Sequence, residues 1–77
     1  YGIYVGEQAQ PTLEGNTCRE NKGDGISYWN NASGVARNNE CTGNGEDGIY
    51  VASTARPTLR DNQCQGNKGK NVNDQRR

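Results

Sequence analysis

Cys18, Cys41 and Cys64 stand a constant 23 residues apart, and they are one column among several. Gly2, Gly25 and Gly48 keep the same step. So do Ile3, Ile26 and Ile49; Ala9, Ala32 and Ala55; Asn16, Asn39 and Asn62; and Asn21, Asn44 and Asn67. No gap is needed to align them. A period of this length, held three times, marks a chain built from copies of one supersecondary unit. Such a unit cannot bury an apolar face alone, so it must stack on its neighbours. The first and third copies are closest, sharing "GIYV", "PTL" and "NKG". The copies divide the chain into coils 1–23, 24–46 and 47–69. Residues 70–77 form a partial fourth coil or tail, with Asn71-Val72 where Gly-Ile stood.

Composition without the repeat would point elsewhere. Leu, Ile and Val together number nine in 77 residues, and Phe is absent. That is poor material for an ordinary core and leans toward disorder. Stacking resolves the conflict, because much of a solenoid's cross-section is backbone. The formal net charge is zero, so the basic footprint of a nucleic-acid binder is missing. No apolar run reaches the length of a membrane-spanning helix. The start, "YGIYVG", has neither the basic region nor the apolar stretch of a signal peptide, and no initiator Met. The chain is therefore expected to come from a longer or processed one.

Within a unit, "GIYV" puts Ile3 and Val5 on one face of a strand and Tyr4 on the other. "PTLE" reads as a second short strand, with Pro11 at its start, where a missing N–H is tolerated, and Leu13 inward. "NTC" is a third piece, with Asn16 and Cys18 on one face. Between the second and third strands lies the column Gly15, Asn38, Asp61. These residue types best accept a left-handed backbone, so a tight bend with positive φ is predicted there. Asn21-Lys22-Gly23 and its copies mark a second corner, and the Glu7–Gln10 region a third. Three strands and three corners close one coil. Stacking then turns Cys18, Cys41 and Cys64 into an inward ladder of small apolar groups. Asn16, Asn39 and Asn62, and likewise Asn21, Asn44 and Asn67, become amide ladders. Each side chain bonds its copy one coil away, about 4.8 Å along the axis.

The pattern G-I-x-V…A-x-P-x-L-x-x-N-x-C-x-x-N, over positions 2 to 69, resembles the repeats of the right-handed parallel β-helix family, the pectate-lyase-like β-solenoids. The resemblance implies an all-β fold: a right-handed parallel β-helix, a single-stranded solenoid of about three 23-residue coils. It leaves function open, since such repeats occur in pectate-lyase-like enzymes, in pectinesterase and epimerase relatives, in cell-surface proteins and in some F-box substrate adaptors. The middle unit departs from the pattern, with "GVAR" for "PTLE" and "ISYW" for "IYVG". A leucine-rich repeat is the rival, because "LEGNTC" fits its L-x-x-N-x-C tail. Leu13 and Leu59 are the only leucines, however, and Gly and Asn, each eleven times, crowd the corners where a helix would run.

Three thiols invite a metal or redox reading. There is no C-x-x-C and no His, so the usual zinc spacing is missing. Stacked thiols also lie along a line rather than around a point, and parallel Cβ vectors do not suit a disulfide. No metal and no cofactor is expected. Among the acids, Asp24 and Asp47 share a column, followed by Lys70. Two carboxylates one coil apart should repel unless a cation offsets them; the expectation is that they are solvated corner residues. Glu14, Arg37 and Arg60 form an outward column, with Glu14 and Arg37 as a cross-strand pair.

The aromatics carry the functional expectation. Tyr4 and Tyr50 point outward from equivalent strands with Ser27 between them, and Trp29 follows just past the middle strand. Tyr28 falls in the inward column of Val5 and Val51. An exposed Tyr/Trp stripe on a flat sheet suits stacking against sugar rings. The expectation is a non-catalytic scaffold or binding segment that presents Tyr4, Ser27, Trp29 and Tyr50 to a polysaccharide or protein. No catalytic residue is assigned. Two alternatives stay open: a fragment of a polysaccharide-active lyase, hydrolase or epimerase, and a protein substrate adaptor. Strict repetition speaks against the enzyme, because active sites usually break a repeat. Neither nucleic acid nor membrane is an expected partner. Exposed coil edges suggest end-to-end self-association or a longer parent chain, with "KNVNDQRR" at best a partial cap. Buried unpaired thiols fit the cytosol, while the resembling family is often secreted, so both compartments remain open.

Overall fold

A computed structural model of the chain describes residues 1–76; Arg77, part of the C-terminal "KNVNDQRR", lies outside them. It holds ten strands, each of three residues. The first coil contributes β1 (Ile3–Val5), β2 (Thr12–Glu14) and β3 (Thr17–Arg19). The second contributes β4 (Ile26–Tyr28), β5 (Val35–Arg37) and β6 (Glu40–Thr42), and the third β7 (Ile49–Val51), β8 (Thr58–Arg60) and β9 (Gln63–Gln65). A last strand, β10 (Val72–Asp74), opens a fourth turn. Strands pair only with their copies one coil away, always in parallel. The first sheet runs β1-β4-β7-β10, the second β2-β5-β8 and the third β3-β6-β9. The register is the sequence period itself: Ile3 opposite Ile26 and Ile49, and Cys18 opposite Cys41 and Cys64. The middle coil keeps this register despite its divergent sequence, with Thr12 opposite Val35 and Val35 opposite Thr58.

The core is a set of columns. Val5, Tyr28 and Val51 line one, Ile26 and Ile49 another, Cys18 and Cys41 a third, and Ala36, Ala32 and Ala55 fill the remaining width. Ile3, Leu13, Leu59 and Cys64 pack against this set while partly open. Tyr28 takes the inward place of two valines and is fully buried. Its hydroxyl finds no hydrogen-bond partner, and burial, with a smaller contribution from Cys41, pushes its pKa up to about 12.

Backbone close approach explains the Gly2–Gly25–Gly48 column. A Cβ on Gly25 would lie 2.6 Å from the Gly48 carbonyl oxygen, 2.9 Å from Asn44 Nδ2 and 3.2 Å from Cys41 Cβ. The asparagine ladder and the cysteine column therefore reach their places only because this residue has no side chain. At the fourth coil the column ends in Asn71, whose Oδ1 accepts a hydrogen bond from Asn67 Nδ2 at 3.1 Å.

The corners sit where backbone φ turns positive. The predicted column Gly15, Asn38, Asp61 has φ of 69°, 55° and 55°. A second column, Glu20, Gly43 and Gly66, has 58°, 62° and 68°. This corner lies one residue ahead of the expected Asn21-Lys22-Gly23, because the bend must precede Asn21 to turn its amide inward. The third corner is led by Glu7 at 55° and Asn30 at 58°, at the start of the expected Glu7–Gln10 region.

Candidate functional site

Three ladders of polar side chains fix the coils, and one of them supports the outer face of the first sheet. Asn39 and Asn44 show how a buried amide is satisfied. Asn39 Oδ1 accepts from Asn16 N–H at 2.9 Å and Asn16 Nδ2 at 3.0 Å, while its Nδ2 donates to the Leu13 carbonyl and to Asn62 Oδ1, both at 2.9 Å. Asn44 repeats the pattern with Asn21, the Cys18 carbonyl and Asn67. Every donor and acceptor of two almost fully buried amides is used.

The third ladder is acidic. Asp24 Oδ1 accepts from the Asp47 backbone N–H at 2.9 Å, and Asp47 Oδ1 from the Lys70 backbone N–H at 2.8 Å. These carboxylates were expected to be solvated and mutually repelling. Asp24 is instead 3% exposed, and the column is held by carboxylate-to-amide bonds that do for each coil what the asparagines do elsewhere. The group of Lys70 that meets Asp47 is its backbone N–H.

Asp24 carries the candidate site. Its Oδ2 accepts from Ser27 Oγ–H at 3.3 Å, and Ser27 Oγ accepts from the Trp29 indole Nε1–H at 2.7 Å. The indole is thus drawn back over Ser27 and packs on Tyr50, with ring centroids 4.8 Å apart and planes inclined by 35°. Tyr4 and Tyr1 make a second aromatic pair at 5.7 Å and are 56% and 60% exposed. The Tyr4 ring lies over Gly6, where a Cβ would come within 2.7 Å of it. Of the four residues expected on the exposed stripe, the structure leaves Tyr4 open and Trp29 and Tyr50 half-buried. Ser27 is corrected: it leaves the outer side of its strand but is fully buried beneath the indole. The Asp24–Ser27–Trp29 relay was not read from the sequence. Its signal was there in the recurrence of Asp24 at Asp47, an Asx column at the coil period, like the two asparagine columns.

A related arrangement recurs two coils on. Asn73, in the Ser27 column, donates from Nδ2 to Asp47 Oδ2 at 3.0 Å and accepts from Gln75, which stands in the Trp29 column. Across the outer face the coils therefore alternate. Tyr4–Gly6 and Tyr50–Ala52 carry a ring beside a small residue; Ser27–Trp29 and Asn73–Gln75 carry a small polar residue beside a large one.

The cysteine column lines the core, with Cys64 partly open. All three thiols are free. Burial raises the pKa of Cys18. The hydrogen bond with Cys64, then burial, raises that of Cys41, and the same bond lowers that of Cys64. Among the described residues no group of three His, Cys, Asp or Glu is placed to hold a metal ion. On the second sheet Arg37 meets Glu14 at 3.3 Å, exposed on both sides.

No curated protein and no solved structure matches the chain. The model of a family described as the right-handed β-helix region matches residues 1–75. With parallel stacking, the 23-residue coil and polar ladders already in place, that match over nearly the whole chain settles its kinship: this chain belongs to the right-handed β-helix family.

Proposed function

We propose that this β-helix segment is a non-catalytic scaffold whose first sheet binds a carbohydrate on its outer face through Tyr4, Trp29 and Tyr50. The observation that carries the reading is the Trp29–Tyr50 stack, with its indole anchored to buried Ser27. Aromatic faces take the apolar faces of sugar rings, and a ring already fixed loses little freedom on binding. The acids support a passive role, since Asp24 and Asp47 are tied into the coil ladder and so are poor candidates for acid–base work. Native affinity electrophoresis through gels containing different glycans tests the proposal. Retardation by at least one glycan, abolished in Trp29→Ala and Tyr50→Ala with unchanged circular dichroism, is the expected result. Mobility unaltered by every glycan refutes it and turns attention to a protein partner.

A further inference from the structure

We propose that Cys41 and Cys64 form a two-coordinate site for a soft monovalent cation of the copper group, Cu(I) or its redox-inert analogue Ag(I), with the Tyr28 hydroxyl as an outer-shell donor. Two independent observations carry this. The first is the geometry of the column. Cys18, Cys41 and Cys64 stand opposite one another in the third sheet, in parallel register. In-register strands repeat at about 4.8 Å, and identical side chains stack at that repeat. A zinc–thiolate bond is about 2.3 Å long, and two bonds of that length in a line span about 4.6 Å, close to one coil step. Zinc itself needs four ligands around a point, and the described residues offer no such group. Soft monovalent ions favour thiolate sulfur and accept two ligands in a line, which is what a column of thiols supplies. Cys41 is fully buried and hydrogen-bonded to Cys64. Cys64 is the partly open member, through which an ion reaches the column. Cys18 stands on the other side of Cys41 and is 5% exposed.

The second observation is the Tyr28 hydroxyl. It is fully buried and, alone among the described buried side-chain polar atoms, has no hydrogen-bond partner. A negative charge on Cys41 reaches it, so it lies on the sulfur side of the core. A buried O–H without an acceptor is a cost to the metal-free chain. An acceptor arises when Cys41 becomes a metal-bound thiolate, and donors to metal-bound ligands orient them and hold their charge. On binding, the ion takes the place of two thiol protons, which pass to solvent, and its oxidation state does not change. One positive charge replaces two, so the S–metal–S unit carries one negative charge. Tyr28 faces that charge at the inner sulfur and solvent faces it at Cys64. The chain has neither His nor Met, so the three cysteines are its only soft ligands.

The test titrates the full chain with Ag(I) in chloride-free, weakly buffered solution. Native mass spectrometry reads the stoichiometry, ultraviolet absorption the metal–thiolate bonds, and a pH indicator the protons released. The expected result is one ion bound and two protons released per chain, with unchanged circular dichroism and a melting temperature that rises with free Ag(I). Cu(I), kept reduced by ascorbate, should give the same stoichiometry, and Zn(II) should bind at least about a hundredfold more weakly for want of two further ligands. Removing a ligand should cost more than removing an outer-shell partner. Cys64→Ala should therefore lose at least about a hundredfold in affinity, Cys18→Ala less than about tenfold, and Tyr28→Phe about tenfold. Tyr28→Phe removes an unsatisfied buried group, so its weaker binding would not reflect a damaged fold. Equal losses in Cys18→Ala and Cys64→Ala overturn the choice of pair, and full affinity in Tyr28→Phe overturns the part given to the hydroxyl. Several ions per chain, or binding that proceeds only as the strand-rich dichroism is lost, overturns the site, because silver would then be collecting the thiols of an unfolded chain.

Discussion

Asn44 concentrates the logic of the fold in one side chain. It is fully buried and serves the coil before it and the coil after it at once. Asn44→Ala would leave the Asn21 N–H and Nδ2, the Cys18 carbonyl and Asn67 Oδ1 short of a partner. At about 1–3 kcal/mol for each buried group left unsatisfied, a loss of roughly 3 kcal/mol or more is expected in urea unfolding. Asn31→Ala, at an exposed position of the middle coil with an ordinary backbone, should cost far less and serves as the control. Tyr28 is the opposite case. Its buried hydroxyl does nothing for the core, so Tyr28→Phe should raise stability by about 1–2 kcal/mol. The same group carries a pH signature. Its pKa rises from 10.0 to about 12 on folding, so the folded state keeps a proton that the unfolded chain releases. Its contribution is fully present below pH 10 and is lost as pH rises through about 12, a change on the order of 2–3 kcal/mol. Unfolding measured from pH 9 to 12 should show this loss in the parent and a shallower slope in Tyr28→Phe.

At the scale of a corner, the chain carries its own comparison. Glu20, Gly43 and Gly66 occupy equivalent places, all with positive φ. A side chain there costs about 1–2 kcal/mol in backbone strain, while glycine costs some unfolded-state entropy. A Cβ on Gly43 would meet nothing closer than Glu20 Cγ at 3.9 Å, so strain alone decides. Gly43→Ala should therefore destabilise by about 1 kcal/mol, and Glu20→Gly should be neutral or stabilising by less than that. Thermal melts of the two variants check the pair; a stabilised Gly43→Ala would mean that this corner is not held left-handed.

The molecule as a whole is built from edges. Each coil offers its N–H and C=O groups along the axis, and β10 covers only the first sheet, leaving β8 and β9 as edge strands of this chain. Exposed edges recruit other strands. The second sheet adds a reason of its own: Arg60 stands opposite Arg37, with Glu14 paired to Arg37 on the far side. A further coil carrying an acid in the Glu14 column would relieve Arg60. For the 77-residue chain by itself, sedimentation velocity should show association that grows with concentration and falls with Arg60→Glu. A single species at every concentration would show that the edges are protected.

Much of this was present in the sequence. The 23-residue period determined the stacking and the register; with strand alternation it placed the inward columns of Ile, Val and Cys and the buried Tyr28, and the residue types Gly15, Asn38 and Asp61 marked the left-handed corner. A repeat reports which residues become neighbours along the axis, and for backbone ladders and identical stacked side chains that neighbour is the whole environment. It is silent on contacts between different columns. The folding of Trp29 over Ser27, the burial of Asp24 and the bend at Glu20 rather than at Asn21 depend on how far one side chain reaches sideways and which way the backbone must turn before it. Those distances exist only once three strands and three corners have closed into a coil, so only the tertiary structure decided them.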